Sequence, residues 1–534
     1  MNNNSKSEKI SILQNPYLKF GLWSLFLIFV SFRLNNFWWL LVIPVIFDLF
    51  VMQKILKNKI FKTAFWILTY LLWVIWMDTY WLLIGLPVVF DLYYSKKVHW
   101  TFWKPKDPAN KTFVTEWVDA IIFAVVAATI IRMFLIEAFT IPTSSMEKTM
   151  LVGDYLFVSK FHYGPKLPNT PLSFPFVHHT MPLTEHSPSY LEWIKLPYNR
   201  LAGIEDVSRN DIVVFNFPEG DTVCANFQAA SYYSLIRQIS KNYCTQQNIP
   251  YSEKYGRQIL IDQKQYGDIL VRPIDKKENY IKRCVAIPGD EIKIINSQMF
   301  VNGKKQETFN DMQYNYFITT GGQSINKRFL EQYGISFEDA ESAQRFIQDP
   351  TDINFIQSDS ILSKYNMANL YLFPLTPEKA EQIKKNPFIK AVVRYVKPAG
   401  QYNNGVFPHA PKYYKWNEDN FGPLYIPKRG DILNLTKANI RIYERLIRTY
   451  EHNELKITDG KIFINGTETT TYEVKMNYYW LMGDNRHNSA DSRFWGFVPE
   501  DHVVGKALMV WFSSDKDKSF PNNIRWDRIL TMIH

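Results

Sequence analysis

Two strings that lie far apart in the chain carry residue types that can act as a nucleophile and its base. The first, Ile141–Met150, places Ser145 in a run of hydroxyl residues, and a serine hydroxyl attacks a carbonyl group only when a base activates it. The second, Tyr280–Asp290, alternates so that Tyr280 and Lys282 share one face of a strand. Burial disfavours the ammonium form and lowers the pKa of a lysine, which could make Lys282 a base near neutral pH. The two strings together are compatible with serine–lysine chemistry at a carbonyl group.

Each string also has a structural interpretation when it is taken alone. Hydroxyl residues that follow a helix commonly cap it or form a turn. A lysine that stands beside Arg283 is commonly a solvent-exposed surface residue. Neither string by itself decides between the structural and the catalytic interpretation.

Two further strings complete the set. Asn210–Pro218 reads NDIVVFNFP, which predicts a strand, and Gly483–Arg493 reads GDNRHNSADSR and is followed by FWGFVP. The second of these has the composition of a tight polar turn that is held by side-chain turns and Arg–carboxylate bonds.

Taken in chain order, the four strings resemble the conserved boxes of bacterial type I signal peptidases, which are membrane-bound Ser/Lys leader peptidases. The family pattern reads P-S-x-S-M, R-G-D-I/V-V-V-F, Y-I/V-K-R-x-x-G/A-x-P-G-D and G-D-N-R-x-N-S-x-D-S-R, and this chain has a counterpart of each in the same order. The resemblance covers about residues 139–300 and 476–534. It implies a membrane-anchored, mainly β protein in which N-terminal transmembrane helices precede an exported β-rich catalytic domain.

The resemblance assigns the catalytic roles residue by residue. Ser145, just before Met146, matches the nucleophile, and Lys282, just before Arg283, matches the general base. Thr143 matches the residue whose hydroxyl forms the oxyanion hole together with the backbone N–H of Ser145. The implied mechanism is acyl transfer to the serine, followed by hydrolysis of the acyl-enzyme.

The resemblance also assigns four supporting residues. Ser489 matches the serine that hydrogen-bonds and orients the lysine, and Gly483 keeps the backbone close to the site. Asp491 and Arg493 match a structural ion pair beneath the site. The implied mechanism requires no cofactor and no metal ion.

Three positions depart from the family pattern. Thr143 stands where serine is commoner, but it keeps the hydroxyl, and Asn210 replaces the glycine of R-G-D. His487 replaces a usual aspartate at a position that has no catalytic role in the family. We therefore expect His487 to be peripheral rather than part of a Ser–His triad.

The elements that must hold these residues begin with a hydrophobic N-terminal quarter. Four short apolar runs, at 20–32, 37–53, 64–77 and 80–94, precede a longer run, Trp117–Ala138. A membrane span needs about 20 apolar residues. The long run therefore predicts a transmembrane helix, and the short runs predict two helical hairpins that span the membrane or lie at its interface. Core helices of a soluble domain are the alternative, but runs this rich in Trp, Phe and Leu would leave too little polar surface.

The short runs contain an internal repeat, and the lysines around them indicate an orientation. The string P-V-x-F-D-L at Pro44–Leu49 recurs 43 residues later at Pro87–Leu92, which predicts a duplicated hairpin. Lysines are concentrated before the first run, between the hairpins and before the last run. The positive-inside rule then predicts a cytoplasmic N-terminus and places everything after the fifth span on the far side.

From about residue 139 the chain becomes β-rich. Strands are predicted at Tyr155–Ser159, Ile212–Phe217 and Tyr280–Ile287, and hairpin turns at Asn302-Gly303 and Asn465-Gly466. The polar stretch 304–475, with one predicted helix at Ser336–Ile347, is interpreted as an inserted accessory domain. The predicted domains are the hairpins with a cytoplasmic loop at 1–116, the transmembrane helix at 117–138, the catalytic β domain in two parts at 139–303 and 476–534, and the insert at 304–475.

Composition excludes several classes of protein. A chain of 534 residues that is 46% hydrophobic and 21% charged is neither disordered, collagen-like nor a coiled coil. Three cysteines exclude a disulfide scaffold, a zinc ribbon and an iron–sulfur cage, although Cys224 and Cys244 could pair in an oxidising compartment. The 61 basic and 51 acidic residues give a net charge of +10, which fits an anionic membrane as well as nucleic acid. We expect a lipid bilayer and no nucleic acid as partner.

The sequence therefore predicts a membrane-bound serine endopeptidase that removes signal peptides from exported preproteins. Its substrates would be cut after small-x-small sites while their apolar segment stays in the bilayer. The enzyme would be a multi-pass protein of the cytoplasmic membrane with its catalytic domain on the outer or periplasmic side. A Pro-rich apolar stretch between the first two strings either rests on the lipid surface or packs on the domain. Its apolar residues are Phe174, Phe176, Leu191 and Trp193. Exposed side chains would favour contact with lipid, and buried ones would favour packing.

Two other functional classes were compared with this one. A self-cleaving Ser/Lys regulator would require a DNA-binding helix-turn-helix and a soluble chain, whereas this N-terminus is strongly hydrophobic. An inactive membrane scaffold would be indicated by loss of Ser145 or Lys282, and both residues are present.

Overall fold

The structure, a computed structural model, describes residues 16–33, 43–48, 58–76, 80–98, 100, 112–184, 187–201, 203–228, 230–336 and 350–533. The chain divides into two compact units. The first consists of Met1–Leu135, Phe161–Phe176 and Tyr190–Glu205, and the second of Ile136–Lys160, Val177–Ser189 and Asp206–His534.

The first unit is helical in its N-terminal part. Its helices are Pro16–Arg33, Ile43–Phe47, Lys59–Trp76, Leu86–Phe90 and Phe113–Phe134, with a 3-10 helix at Tyr80–Gly85 and a π-helix at Asp91–Ser95. The short helices Ile43–Phe47 and Leu86–Phe90 carry the two copies of the repeated Pro-Val-x-Phe string. The Pro-Val-x-Phe part of the repeat is therefore helical in both copies.

Within the described residues, Phe113–Phe134 is the helix that is long and apolar enough to cross a membrane, judged by length and composition. The hydroxyl of Thr112 caps its N-terminus by accepting a hydrogen bond from the Thr115 N–H. The predicted end of this run at Ala138 is wrong, because the chain forms a strand from Ile136, where Glu137 makes a 2.8 Å ion pair with Lys160. The described helices support this one span and not the multi-pass topology expected of the four shorter runs.

The second unit is mainly β and is built on an antiparallel sheet. Its strands in chain order are β1 Ile136–Thr140, β2 Asp154–Ser159, β3 Ile212–Asn216, β4 Asn279–Ala286, β5 Tyr478–Met482, β6 Val498–Pro499, β7 Val503–Ser513 and β8 Thr531–Met532. Their spatial order is β1-β2-β7-β3-β4-β5-β6, and β8 pairs with β7. The predicted strands at 155–159, 212–217 and 280–287 are thus confirmed as β2, β3 and β4. The pairing of β4 with β5 joins two strings that are about 200 residues apart in the sequence.

A hydrophobic core beneath this sheet anchors the serine string. Met146 and Met150 are fully buried and pack with Leu156, Ile212 and other apolar residues of the sheet. Burial of one such side chain stabilises a fold by roughly 1.5–3 kcal/mol. Because Met146 directly follows Ser145, its packing fixes the backbone that presents the serine hydroxyl.

Shorter strands surround the main sheet. They are Thr222–Cys224, Ile269–Val271, Glu291–Ile295, Gln298–Val301, Lys304–Lys305, Tyr314–Thr319, Leu370–Leu375, Ala391–Arg394, Phe421–Tyr425, Ile432–Asn434, Leu455–Thr458, Lys461–Ile464, Thr467–Glu468 and Thr471–Glu473. Both predicted Asn-Gly hairpin turns are confirmed. Asn302 and Gly303 have φ of 51° and 75°, the left-handed pair that a two-residue hairpin turn requires.

The stretch 304–475 is more regular than its polar sequence indicates. It contains the helices Lys327–Tyr333, Pro350–Ser358, Pro377–Lys384 and Ile440–Arg445. The helix predicted at Ser336–Ile347 lies, beyond Ser336, outside the described residues. A cluster between Met312 and Ile389 has its own core, whereas Phe421–Tyr425 pairs with Glu291–Ile295. The boundaries proposed for the insert and for the other domains remain predictions.

The β-rich interpretation overlooked two helices in the second unit, Tyr232–Gln246 and Glu253–Asp262. Each has a serine N-cap, Ser231 and Ser252, whose side chain accepts a backbone hydrogen bond. The pairing suggested for Cys224 and Cys244 is wrong, because both thiols are free and buried.

Candidate active site

Ser145 and Lys282 meet at the centre of the second unit. A hydrogen bond of 2.7 Å joins the Lys282 Nζ to the Ser145 Oγ, although the two residues are 137 positions apart. Ser145 lies in the 3-10 turn Ser144–Met146, and Lys282 lies on β4, opposite Val213 of β3. A nucleophile within hydrogen-bond reach of a base is the arrangement that covalent catalysis requires.

Lys282 is buried, which changes its acidity. Lys282 is 4% exposed, and its Nζ also donates to the carbonyl oxygen of Ile281 at 2.9 Å. Desolvation lowers the pKa of Lys282 to about 8, although the carboxylates of Asp491 and Asp484 act in the opposite direction. A substantial fraction of Lys282 is then neutral near physiological pH and can accept a proton.

A second lysine shows that burial alone does not define the site. Lys277 is 3% exposed, and desolvation lowers its pKa to about 8 as well. Its Nζ, however, lies 2.8 Å from the Nε2 of His502, whose Nδ1 contacts Asp501 at 2.6 Å. Lys282 differs from Lys277 in its contact with a serine hydroxyl.

Thr143 stands at the start of the serine turn and is exposed. It is the N-cap residue of the 3-10 helix, but among the described residues its side chain makes no capping hydrogen bond. Thr143, Ser145 and Lys282 line the same cavity. The capping interpretation of this hydroxyl therefore has no support in the observed geometry.

Gly483 and Ser489 flank the serine from the other side. A Cβ at Gly483 would lie 2.5 Å from the carbonyl oxygen of Ser145 and would overlap the Ser489 Oγ, so the backbone approach requires glycine. The Ser489 Oγ is buried and has no hydrogen-bond partner within the described part of the chain. The hydrogen bond from Ser489 to Lys282 that the family resemblance implies is thus absent from these side-chain positions.

Two asparagines hold the serine turn and were missed by sequence reasoning. The Asn485 N–H donates to the Ser145 carbonyl oxygen at 3.1 Å, and the Asn485 side chain donates to the Ser144 carbonyl oxygen at 3.2 Å. The Asn488 amide donates to the Ser144 Oγ at 3.0 Å. Their positions in the G-D-N-R-x-N string could have identified them as site residues, but the string alone does not indicate what they contact.

A buried ion pair that the sequence did not reveal ties β4 to the polar loop. Arg283 donates to both carboxylate oxygens of Asp484, with a shortest distance of 2.7 Å, and both side chains are at most 3% exposed. The Thr149 hydroxyl donates to the same carboxylate at 2.7 Å. Arg283 and its neighbour Lys282 are therefore both buried, and the interpretation of Lys282 as a surface residue is wrong.

The predicted ion pair beneath the site is present. The Arg493 Nη2 and the Asp491 carboxylate are 2.8 Å apart, both are buried, and Asp491 also accepts from the Gly483 N–H at 3.1 Å. Burial by itself would raise the pKa of Asp491, but the Arg493 guanidinium holds this pKa below its usual range.

The two departures outside the catalytic group have local explanations. The Nε2 of His487 lies 2.9 Å from Asp419, and its Nδ1 accepts from the Asn315 N–H at 3.0 Å, so both ring nitrogens are engaged away from Ser145. Asn210 has φ of +76°, a conformation that glycine adopts freely and that asparagine tolerates better than most residues.

The cavity over the dyad has a volume of about 340 Å³. Apolar residues form much of its wall: Phe139, Ile141, Pro142, Leu156, Val214 and Ile281. The cavity can take up an apolar side chain of a peptide substrate beside the serine and the lysine, as peptide acyl transfer requires. In the part of the chain that the structure describes, no cluster of His, Cys, Asp or Glu side chains could hold a metal ion.

In this mainly β unit a serine hydroxyl contacts a buried lysine amine, which is the arrangement of a serine hydrolase. The chain belongs to the family described as signal peptidase, peptidase S26, which it matches over residues 114–328 and 428–512. It is accordingly a serine peptidase. The match starts before and extends beyond the four strings, and residues 329–427 lie between its two blocks.

Curated relatives carry the same description. The chain is 24% identical to "Signal peptidase I" of Buchnera aphidicola subsp. Acyrthosiphon pisum, over 79% of this chain and 82% of the relative. It is 21% identical to "Signal peptidase I" of Helicobacter pylori, over 79% of this chain and 92% of the relative. A shorter segment is 38% identical to "Signal peptidase I" of Haemophilus influenzae, over 19% of this chain and 28% of the relative.

Proposed function

We propose that the protein removes N-terminal signal peptides from exported preproteins, with Ser145 as nucleophile and Lys282 as general base. The observation that carries the proposal is the 2.7 Å contact between the Lys282 Nζ and the Ser145 Oγ in a buried setting. Family membership supports the reaction class, and the lowered pKa of Lys282 supports its role as the base.

The mechanism follows from these two groups. The neutral Lys282 amine takes the proton of the Ser145 hydroxyl as the oxygen attacks the scissile carbonyl carbon. The ammonium group then gives the proton to the leaving amine, and an acyl-enzyme remains on Ser145. Water enters, and Lys282 accepts a proton from it as the water oxygen attacks the acyl carbon. The ammonium group returns this proton to the Ser145 Oγ as the ester bond breaks, which restores the serine hydroxyl and the neutral amine.

Four supporting roles complete the proposal. The hydroxyl of Thr143 and the N–H of Ser145 stabilise the oxyanion, a role compatible with a Thr143 hydroxyl that is not used for capping. Ser489 orients Lys282 once the amine has changed its protonation state, and its unpartnered buried hydroxyl supports this role. Gly483 and the Asp491–Arg493 ion pair keep the loop against the serine turn.

The preferred substrates carry small residues on the signal-peptide side of the scissile bond. Family membership supports this preference, and the apolar wall that includes Ile141 and Ile281 supports an apolar side chain next to the scissile carbonyl. A small-x-small cleavage site satisfies the same restriction.

The enzyme acts at a membrane, with the N-terminus in the cytoplasm and the catalytic domain on the outer or periplasmic side. The helix Phe113–Phe134 supplies a span, and Ser145 follows its last residue by eleven positions. The two N-terminal hairpins would add further spans, a proposal that rests on the sequence pattern. Phe174, Phe176, Leu191 and Trp193 are 46–82% exposed, which supports contact of these side chains with lipid.

The insert at 304–475 is proposed as an accessory part of the catalytic domain. The separate core between Met312 and Ile389 supports a unit of this kind. Deletion of 309–395 from the full chain tests it: the proposal requires that precursor cleavage persist, and loss of folding would contradict it.

Precursor cleavage in detergent tests the central proposal. The full chain is incubated with a leader-bearing precursor, and the Ser145→Ala and Lys282→Ala variants are expected to fall below a few per cent of wild-type activity while remaining folded. Lys385→Ala, which removes an exposed lysine outside the cavity, is the matched control and should keep wild-type activity. Clear residual cleavage by either active-site variant would refute the assignment.

A further inference from the structure

The cavity over the dyad shares wall residues with one of two larger cavities of the second unit. Tyr280 and Ala490 line both the active-site cavity and a neighbouring cavity of about 1190 Å³, which we call the aromatic cavity. The aromatic cavity in turn shares Glu219, Arg237, Tyr251, His409, Pro411 and Trp495 with a third, the basic cavity, of about 610 Å³. The three cavities therefore form one series, and we call the aromatic and basic cavities together the trough.

From these shared walls we infer that the trough binds the first residues of the mature preprotein, in extended form, and favours acidic side chains there. This inference rests on the proposed function. The scissile carbonyl must lie at Ser145, so the substrate chain continues on both sides of that residue. The occupant of the trough is the segment on the carboxyl side of the scissile bond.

The direction of the substrate follows from the connectivity of the enzyme. One part of the active-site cavity is formed by Phe139–Pro142, which follow the end of the helix Phe113–Phe134 within eight positions. The signal peptide comes from the bilayer and fits that part. The mature segment leads away from the membrane and requires another exit, and the cavity is shared with the aromatic cavity at Tyr280 and Ala490.

The junction between the active site and the trough is an aromatic wall next to the base. The Tyr280 ring stacks on Phe217 with a centroid distance of 4.5 Å and contacts Trp495 at 5.6 Å. The Lys282 Nζ lies 5.6 Å from the centroid of the same Tyr280 ring. A substrate chain that leaves Ser145 along this wall would meet Tyr280, which also lines the aromatic cavity.

The size and polarity of the trough suit a peptide. The aromatic cavity exceeds the roughly 300–1,000 Å³ of small-molecule pockets. Trp495 is 3% exposed and lines both parts of the trough, and within the described residues its indole N–H has no acceptor. A buried donor without an acceptor costs free energy, which a substrate carbonyl oxygen would offset. Gln238 and Asn404 offer further exposed amides along the wall.

The charge of the trough favours an acidic segment. Seven cationic residues line it, against three carboxylates, Glu219, Glu253 and Glu444. Each of the three carboxylates is already in an ion pair, as Glu219 is with Arg237 at 3.3 Å. The surplus positive charge includes Lys241 of the aromatic cavity, on the helix Tyr232–Gln246, and Lys412 of the basic cavity, and both side chains are exposed.

The test uses the full chain in detergent and two precursors. Both precursors carry the same signal peptide, cleavage site and first two mature residues, and they differ in mature positions 3–10, which alternate Ala with Glu or Ala with Lys. We expect wild-type kcat/KM to be at least about fivefold higher for the acidic precursor, mainly through KM, and the preference to shrink at high salt. Lys241→Glu/Lys412→Glu should abolish or reverse the preference.

A matched double variant controls for net charge. Lys304→Glu/Lys385→Glu changes charge by the same amount at exposed residues outside all three cavities and should keep the wild-type ratio. An unchanged ratio in the Lys241/Lys412 variant overturns the inference while leaving the proposed function intact. Failure of the wild type to cut either precursor, or cleavage that survives Ser145→Ala, overturns the proposed function and the inference with it.

Discussion

At the scale of single residues, the proposed mechanism makes activity depend on the protonation of Lys282. Only its neutral form can accept the proton of Ser145, and desolvation lowers the pKa of Lys282 to about 8. We therefore predict that kcat/KM rises about tenfold per pH unit below pH 8 and levels off above it. Initial rates of precursor cleavage between pH 6 and 10 measure this profile.

Lys277 provides the control for the assignment of that inflection. Its pKa is also lowered to about 8, but its contact is with His502. The Lys277→Met variant should keep the inflection of the wild type. If the inflection vanished in Lys277→Met, or fell near the ordinary pKa of histidine, about 6.5, Lys282 would not be the titrating base.

The same burial lowers the free energy of unfolding at pH values where Lys282 is charged. Because the folded-state pKa is about 8 and the ordinary value is 10.5, the folded protein binds fewer protons than the unfolded chain between these pH values, and wild-type stability rises with pH across that window. We predict that Lys282→Met loses the part of this rise that Lys282 contributes, ~1.4 kcal/mol per unit of pKa difference, and keeps the part that Lys277 contributes through its own lowered pKa. Thermal melts of both proteins from pH 7 to 10.5 should converge on each other, and parallel curves would contradict the prediction.

Thr143 separates an oxyanion role from a structural one. Thr143→Val keeps the shape of the side chain but removes the hydroxyl, which should cost roughly 2.7–4 kcal/mol of transition-state stabilisation, or about a hundred- to a thousandfold in kcat. KM should change less, because the bond strengthens only as charge appears on the oxygen. Thr143→Ser should stay active. A lowered Tm with near wild-type kcat would instead make Thr143 a structural residue.

A position in a motif was enough to predict which residues lie together, while the catalytic roles of these residues remain predictions. Ser145, Lys282 and the Asp491–Arg493 pair stand where the strings placed them. The contacts of Asn485 with the serine turn could not be predicted, since they depend on how the loop meets residues more than 300 positions away. The free hydroxyl of Ser489, within the described residues, depends on side-chain angles that no motif specifies.

At the scale of elements, the polar loop after β5 and the strand β4 hold each other through Arg283 and Asp484. Removal of one partner from a buried ion pair leaves an uncompensated charge, which typically costs about 3–5 kcal/mol. We predict that Asp484→Ala lowers the free energy of unfolding by that amount and displaces the serine turn, so that activity falls as well. Denaturant unfolding in detergent, together with precursor cleavage, measures both effects.

A double variant of the buried pair and a variant of an exposed pair serve as controls for Asp484→Ala. Replacing both partners, as Arg283→Met/Asp484→Leu, should recover much of the lost stability, because apolar groups need no charge compensation. Glu468→Gln, which removes the exposed ion pair with Lys461, should change stability by less than about 1 kcal/mol. Equal losses in Asp484→Ala and Glu468→Gln would mean that the buried pair is not structural.

The missed helices show the limit of pattern reading at the same scale. Tyr232, Ile236 and Cys244 lie at helical spacing and are buried in the helix Tyr232–Gln246, so the signal was present. This helical spacing was overlooked because the segment is polar on average and because the neighbouring strings resemble strands. The predicted end of the helix Phe113–Phe134 was wrong for another reason, because pairing of Ile136–Thr140 with β2 overrides an apolar run that favours helix.

At the scale of the whole molecule, the position of the dyad in the chain matters as much as its geometry. Eleven positions separate the last residue of the helix Phe113–Phe134 from Ser145 in the sequence, and this short connection supports the proposal that cleavage takes place close to a membrane. The apolar segment of a signal peptide can then remain in the bilayer while its cleavage site reaches the serine. The lysine distribution predicts that this happens on the outer side.

Cysteine labelling tests the topology because Cys224, Cys244 and Cys284 are buried and should give little background. In right-side-out spheroplasts, a membrane-impermeant maleimide should label Lys385→Cys, and it should label Lys57→Cys only after detergent is added. Asn36→Cys separates the alternatives for the first hairpin, since it is labelled from outside only if the runs on either side of it cross the membrane. Protection of Lys385→Cys would reverse the orientation, and protection of Asn36→Cys with labelling of Lys385→Cys would leave Phe113–Phe134 as the span that exports the catalytic domain.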